Sequence, residues 1–459
     1  MTAAAQLAIG RARAFPGWLP AVLLLATMAL AGPQMGSVAR PAFLLGSLLA
    51  GWWAWQVSPA AHLQAALALF TFAPFVRRLV DVSAGFDPGG LMIAGPFLAL
   101  LAPLPELRRL ALPSAEKGLW IGPYMLFLAC VVYSTELTIA QGNWQQAASG
   151  ALKWAAPVLY ALALYRRRPD PKSLLHGLAA AFAIILPITG LYGIYQYIDP
   201  PLWDRYWLIY AQITSAGRPF PYEVRTFSTM HGPGVFATFT AAGVLLVYIL
   251  RPYWRERLML LPAVLALVLS LYRTAWISLA AGILFCALFG KTRANAGGAV
   301  FVLIAAVTAT LLFTPFGDSI AERFSTFGDA SNDGSGQERL QEFATLWNSP
   351  GGETFGNGFN VVDTGAAGAA PIDGMIAACW YCMGIAAGLI CISTLVYMGA
   401  GAIALAWGSG GVESTALGAL AVGWLIQLPL AGVGSSEIGF LFWSSMTLAL
   451  CMRTAGAKP

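Results

Sequence analysis

Charge is scarce in this sequence: Asp, Glu, Lys and Arg make up 10% of its 459 residues. Soluble domains carry about 25%, so a water-soluble globular fold is excluded. Histidine is nearly missing, with 3 residues; His62 and His176 lie near the ends of apolar runs, where no ligand role is expected. The 6 cysteines (Cys130, Cys286, Cys379, Cys382, Cys391 and Cys451) all lie in or beside apolar segments. They read as small packing residues, not as a disulfide framework. Cys379 and Cys382 form a CxxC, but no second ligand pair accompanies it, which argues against a structural zinc site. No βαβ pattern surrounds it to suit a thioredoxin-like role. No Walker or Rossmann glycine pattern occurs. Asp329, Ser331, Asp333 and Gly334 imitate the start of a calcium loop, yet Leu340 stands where a bidentate Glu is required. No metal and no nucleotide cofactor is expected, and the net charge of +5 calls for no nucleic-acid partner.

In their place stand long apolar runs, which bring the hydrophobic share to 58%. The runs are continuous instead of alternating, which excludes a β-barrel. The expected fold is all-α, a single polytopic membrane domain over 1–459 with about 12–14 transmembrane helices. The spans lie near 18–31, 41–57, 62–76, 91–106, 119–139, 150–165, 174–198, 234–250, 258–271, 274–290, 298–314, 374–398, 416–432 and 438–452. The first run lacks a small-residue cleavage site and reads as an anchor. No internal repeat is evident.

Lysine and arginine set the orientation. With the N-terminus inside, Arg11, Arg13, Arg108, Arg109, Lys117, Arg166, Arg167, Arg168, Lys172, Arg251, Arg255, Arg257, Lys291, Arg293, Arg453 and Lys458 all fall on the inner side. Most of the acids fall outside. Both termini are therefore expected to be cytoplasmic. Only two extramembrane segments are long, 199–233 and 315–373, and both are outer loops containing short amphipathic helices. Function is read from that face.

Arg273 stands in an apolar stretch about twice as long as a bilayer needs. Either the chain turns there and Arg273 marks a tight outer corner, or Arg273 occupies a polar pocket. In the first loop, Trp203, Tyr206, Trp207 and Tyr210 follow helical spacing. They form either an interfacial anchor at headgroup level or a sugar-stacking platform. Arg218 and Arg225 flank a Pro-rich bend, and Ser228, Thr229 and His231 precede a Gly-Pro-Gly turn into the next span. Such a helix entry welcomes a phosphate; the ordinary alternative is a surface loop that starts a helix. In the second loop, Ser335 and Glu338 make a capping box, and Leu340, Phe343, Ala344 and Trp347 give an amphipathic helix with Arg339 off its apolar stripe. A glycine-rich turn, Gly356-Asn-Gly358, follows, and Asp373 stands just before the next span.

Residues 225–373 carry a series that resembles the O-antigen ligase and polysaccharide polymerase family of bacterial inner-membrane proteins. Arg225-Thr-Phe-Ser-Thr-Met-His-Gly-Pro-Gly is similar to its R-x-x-S/G-T-x-x-x-P loop, and Ser270-Leu-Tyr-Arg273-Thr-Ala-Trp276 to its S-x-S-R-x-A-W segment. Arg339 with Trp347, eight residues on, is similar to its R-x-x-x-W element at a wider spacing, and Phe355-Gly-Asn-Gly-Phe matches its G-x-G loop. Many relatives carry His-Asn-x-Tyr-Leu where this chain has Asp373-Gly-Met-Ile, a departure that points to the exopolysaccharide-polymerase branch. The match covers roughly the C-terminal half; the N-terminal half agrees in topology.

The resemblance implies a glycosyltransferase of the bacterial inner membrane, with both long loops periplasmic. It implies a metal-independent, inverting transfer of a saccharide from polyprenyl diphosphate, here undecaprenyl diphosphate, to a sugar acceptor, as in a polysaccharide polymerase or ligase. The implied partners are that lipid-linked donor, the saccharide acceptor, membrane lipid and other envelope polysaccharide assembly proteins. Guanidinium groups can stabilise a leaving diphosphate without a metal, which makes Arg225, Arg273 and then Arg339 the diphosphate-binding candidates. The acceptor hydroxyl needs a base: Asp373 first, His231 second. Asp373 also suits an N-cap of the following span. Two other classes compete. A secondary transporter would carry ionisable residues at the midplane, where only Lys153 lies clearly within a span. A non-catalytic partner of an export complex would not need the outer arginines.

Overall fold

A computed structural model describes residues 16–107, 121–313, 352–360 and 374–456. Among these, helix dominates and no strand forms. In lipid every backbone polar group must be satisfied within its own segment, so apolar spans fold as helices. The fifteen longer helices are α1 (Leu19–Ala31), α2 (Ala39–Val57), α3 (Pro59–Ala84), α4 (Ala94–Leu101), α5 (Gly122–Ala140), α6 (Trp144–Arg167), α7 (Pro171–Ile198), α8 (Leu202–Ala211), α9 (Pro233–Leu250), α10 (Leu261–Leu269), α11 (Arg273–Ala287), α12 (Arg293–Phe313), α13 (Met375–Ser409), α14 (Val412–Gln427) and α15 (Ser436–Gly456).

Each expected span corresponds to one of these helices. Among the described residues, six segments are long and apolar enough to cross a membrane: Leu19–Val57, Gly122–Ala140, Trp144–Arg167, Pro171–Ile198, Pro233–Leu250 and Met375–Ser409. Leu91–Leu101, Arg273–Ala287, Arg293–Thr308 and Val412–Gln427 are apolar but shorter. The chain is therefore a polytopic helical membrane protein. Local chemistry sets several helix starts. Ser58 accepts from Ala61 N ahead of Pro59, Asp170 accepts from Lys172 N and Ser173 N ahead of Pro171, and Pro233 opens α9.

Several boundaries differ from expectation, and three of them shape the fold. The span near 91–106 breaks after Leu101, and Leu104–Leu107 forms a separate turn. The span near 62–76 continues to Ala84, because Arg77, Arg78 and Asp81 are buried in the protein instead of ending the helix in water. The span from 374 runs on to Ser409 but kinks at Gly384 (φ 75°). There Gly356 and Gly384 approach so closely that a Cβ on Gly356 would lie 2.5 Å from Gly384 N. Asn357 and Gly358 donate to the Tyr381 and Cys382 carbonyls at 2.8 and 3.0 Å. The G-x-G turn is thus a wedge in the kink of α13. Its Phe359 packs on Trp154 of α6 and donates its N–H to Thr138 Oγ1 of α5 at 2.7 Å.

The buried core runs through α5–α7, α9–α11 and α13–α15, and a smaller cluster joins α1–α4. α6 packs on α15, α7 on α10, and α11 on α14. The cysteines are free and buried, as packing residues should be.

Candidate functional site

The loop that enters α9 is held from two sides. From α3, the Arg78 guanidinium donates to the Met230 and Ser228 carbonyls, both at 2.6 Å. From α7, the Gln196 amide oxygen accepts from Phe227 N at 3.0 Å and Ser228 N at 2.8 Å. Ser228 Oγ donates to the Thr189 carbonyl at 2.6 Å, also on α7. Arg78 is 1% exposed and is paired with Asp204 of α8, Nε to Oδ1 at 2.8 Å. Tyr192 Oη and Gln196 Nε2 each donate to Asp204 Oδ2 at 2.7 Å. A buried ion pair survives its desolvation only with such extra hydrogen bonds. Burial pushes the Asp204 carboxyl above the usual carboxylate range, against the opposing pull of Arg78, Gln196 and Tyr192. The Arg78 guanidinium also faces the Phe227 ring at 4.9 Å.

Contacts to the bundle dock the aromatic stripe of α8. The stripe turns partly into the protein, with Trp207 buried and Tyr210 54% exposed. Trp207 is buried against Phe227, Trp203 Nε1 donates to Tyr192 Oη at 2.7 Å, and Tyr210 stacks on Phe86. α8 is docked by its aromatic face, and Leu202 and Ile209 form its exposed apolar edge. Arg218, at the tip of the loop, is 79% exposed beside Glu223.

The second wall is the corner between α10 and α11. Of the two readings of Arg273, the structure selects the turn: α10 ends at Leu269 and α11 starts at Arg273. Trp276 Nε1 reaches back to the Leu267 carbonyl at 3.0 Å, which a continuous helix would forbid. Arg225 from the first loop donates to this corner, Nε to Ser270 O at 3.3 Å and Nη2 to Leu271 O at 3.0 Å. The Arg225 side chain therefore meets the backbone two residues before Arg273. Both arginines are half-buried. Arg273 occupies the first turn of α11, where the helix dipole is positive and an anion is welcome.

The third wall is the connection from α14 to α15. Tyr272 Oη donates to Leu430 O at 3.2 Å, and its ring lies beside Gly234 of α9. Glu437, in the first turn of α15, brings Oε1 to 3.4 Å from His231 Nδ1. Gly374 (φ 102°) sits against Pro429 O, where any Cβ would clash at 2.4 Å. Asp373 and Arg339 lie outside the described residues, as do the calcium-like turn and the amphipathic helix of the second loop.

Backbone strain gathers at these walls. Among the described residues, six non-glycine residues have positive φ, and three of them are Ser228 (52°), Leu271 (54°) and Ser436 (56°). Each left-handed conformation costs roughly 1–3 kcal/mol and persists only where surroundings enforce it, commonly at functional sites. The cavity inside the bundle, between Thr238, Ser278 and Gln427, is by contrast only about 10 Å³, room for one water.

The structure thus brings Arg225, Arg273 and His231 to one end of the bundle. Sequence reading missed Arg78, Gln196, Asp204 and Glu437 as parts of the same assembly. Arg78 looks like an ordinary basic flank of a span. Asp204 hides inside the aromatic repeat, and Glu437 resembles a first-turn acid. Only Asp204 gave a signal, being the one acid on the stripe side of α8. No protein-family model matches the chain, and no curated protein is detectably similar to it in sequence.

Proposed function

We propose that the protein transfers a saccharide from a polyprenyl diphosphate to a sugar hydroxyl at the outer face of a bacterial inner membrane, as a polysaccharide polymerase or ligase. The supporting observation is the bond from the Arg225 guanidinium to the corner that carries Arg273. Two cationic segments that are distant in sequence meet where a diphosphate would be gripped. The acceptor oxygen attacks the anomeric carbon from the face opposite the leaving group. The new C–O bond forms as the bond to diphosphate breaks, the electron pair leaves on the diphosphate, and the hydroxyl proton passes to a base. Arg225 and Arg273, with Arg339, stabilise the charge on the departing oxygen, each charge-assisted contact contributing roughly 1.5–3 kcal/mol. The base is Asp373 or His231. The end of the bundle that carries Arg225 and Arg273 faces outward, and both termini face the cytoplasm, by the basic-residue bias of the loops.

Arg225→Ala and Arg273→Ala test this in a strain lacking the native gene. Polymer should fall and lipid-linked precursor accumulate while the protein stays at normal level in the membrane. Unchanged polymer yield and length in both variants would overturn the proposal. The species that accumulates in the deletion strain separates the two subclasses. Single repeat units on lipid indicate a polymerase, and long chains stranded on lipid indicate a ligase.

A further inference from the structure

We infer that Glu437 and His231 form a working pair, in which His231 takes the proton of the acceptor hydroxyl and Glu437 positions it. The inference rests on the proposed glycosyl transfer and assigns its base.

Glu437 is 5% exposed, whereas a carboxylate that merely favours a helix start usually lies in water. Burying it without a partner is costly. The partner on offer is His231, whose buried Nδ1 lies at ion-pair distance, 3.4 Å, from Oε1 and makes no hydrogen bond among the described residues. The His231 side chain as a whole is 34% exposed, so its exposure falls on the rest of the ring, which includes Nε2. One edge faces a buried carboxylate, and the side chain is otherwise partly exposed.

The backbone is bent to allow this. Ser436, immediately before Glu437, is left-handed at φ 56°. Across the gap, His231 follows the segment that Arg78 fixes through the Ser228 and Met230 carbonyls. Both members are thus set by structure outside the pair. Arg225 leaves the same loop six residues earlier and reaches the Arg273 corner. Tyr272, one residue before Arg273, lies against Gly234, three residues after His231. The base and the diphosphate grip therefore share one loop.

The chemistry follows from the geometry. A carboxylate accepting from Nδ1–H holds the tautomer whose Nε2 carries a lone pair. Nε2 accepts the hydroxyl proton as the acceptor oxygen bonds to the anomeric carbon and the diphosphate departs with its electron pair. Glu437 then faces the imidazolium and stabilises its charge. Glu437 touches no reacting atom and is a positioning residue; His231 is the catalytic one.

The test measures initial rates of polymer formation in membranes supplied with the lipid-linked saccharide. Positioned bases contribute typically 10²–10⁴-fold. Glu437→Gln keeps the shape and removes the charge. It should lower kcat about 100-fold and leave KM within about twofold. His231→Gln should lower kcat at least as much, and adding Glu437→Gln to it should cost little more, because a positioning residue has nothing left to position. Full-rate turnover by Glu437→Gln, or equal losses with and without His231, would overturn the pairing. If Glu437→Gln fails to accumulate in the membrane, Glu437→Asp is read the same way and must slow turnover only when His231 is present. Arg225→Ala and Arg273→Ala run alongside. Inactivity in those variants beside normal Glu437→Gln and His231→Gln enzymes would sink the pair alone, whereas full activity in both arginine variants would sink the glycosyl-transfer reading itself.

Discussion

Removing the Arg78 guanidinium should loosen the loop that carries Arg225 and His231, and the structure sets the scale. Arg78→Ala deletes one member of a buried ion pair, an event that costs about 3–5 kcal/mol because the other charge is stranded. Asp204 keeps bonds from Tyr192 and Gln196, which hold the loss toward the lower end. The Ser228 and Met230 carbonyls lose their donor as well, and buried acceptors left unmade cost about 1–3 kcal/mol each unless water reaches them. Lysine is no substitute, since a single ammonium cannot serve two carbonyls and a carboxylate in the forked arrangement that Arg78 uses. The assay is thermal denaturation of detergent-solubilised protein followed by size-exclusion recovery. Arg78→Ala and Asp204→Ala should each lower the midpoint by on the order of 5 °C or more. Arg78→Ala with Asp204→Ala should cost less than the two single losses combined, with a coupling of about 0.5–3 kcal/mol. A midpoint for Arg78→Ala within about 1 °C of wild type, or strict additivity in the double variant, would refute the idea that this pair clamps the loop.

Two further outcomes follow from packing inside the bundle. Gly190 of α7 meets the backbone of α10, where an added Cβ would stand 2.3 Å from Ala263 N. Gly190→Ala should therefore push these helices apart and cost about 1–3 kcal/mol in the same thermal assay, and wild-type stability would show that the crossing is looser than described. Gln427 accepts from Thr238 Oγ1 at 3.0 Å and donates to Ser278 Oγ at 2.8 Å. Gln427→Leu should cost only about 0.6–2 kcal/mol, because both hydroxyls can turn to their own helix carbonyls; a larger loss would mean that the bridge does more than join α9, α11 and α14.

The membrane fold was plain in the sequence because its signal is local and redundant. A run such as 234–250 needs no partner to be recognised; once in lipid, its backbone has no alternative to a helix. The turn before Arg273 was legible as one of two options, since a lone charge in so long an apolar run demands either a corner or a pocket. The aromatic stripe of α8 was legible as a stripe but not as to what it faces. Helical spacing marks a face, while Phe75, Phe86 and Phe227, which receive it, come from other parts of the chain. The glycines of the G-x-G turn stood out, yet their reason is the Gly384 kink of α13, some 26 residues later in the chain.

By itself, then, the order of residues settled the class of fold, the run of spans and the identity of the cationic candidates Arg225 and Arg273, because hydropathy and lone charges act over a few neighbours. The chain's folding alone decided that Arg225 reaches the corner beside Arg273, that Arg78 and Asp204 brace the loop between them, and that Glu437 stands behind His231. Those contacts join residues 45 to more than 200 positions apart. No local pattern encodes such pairings; they exist only once the helices have packed and the buried charges have had to find each other.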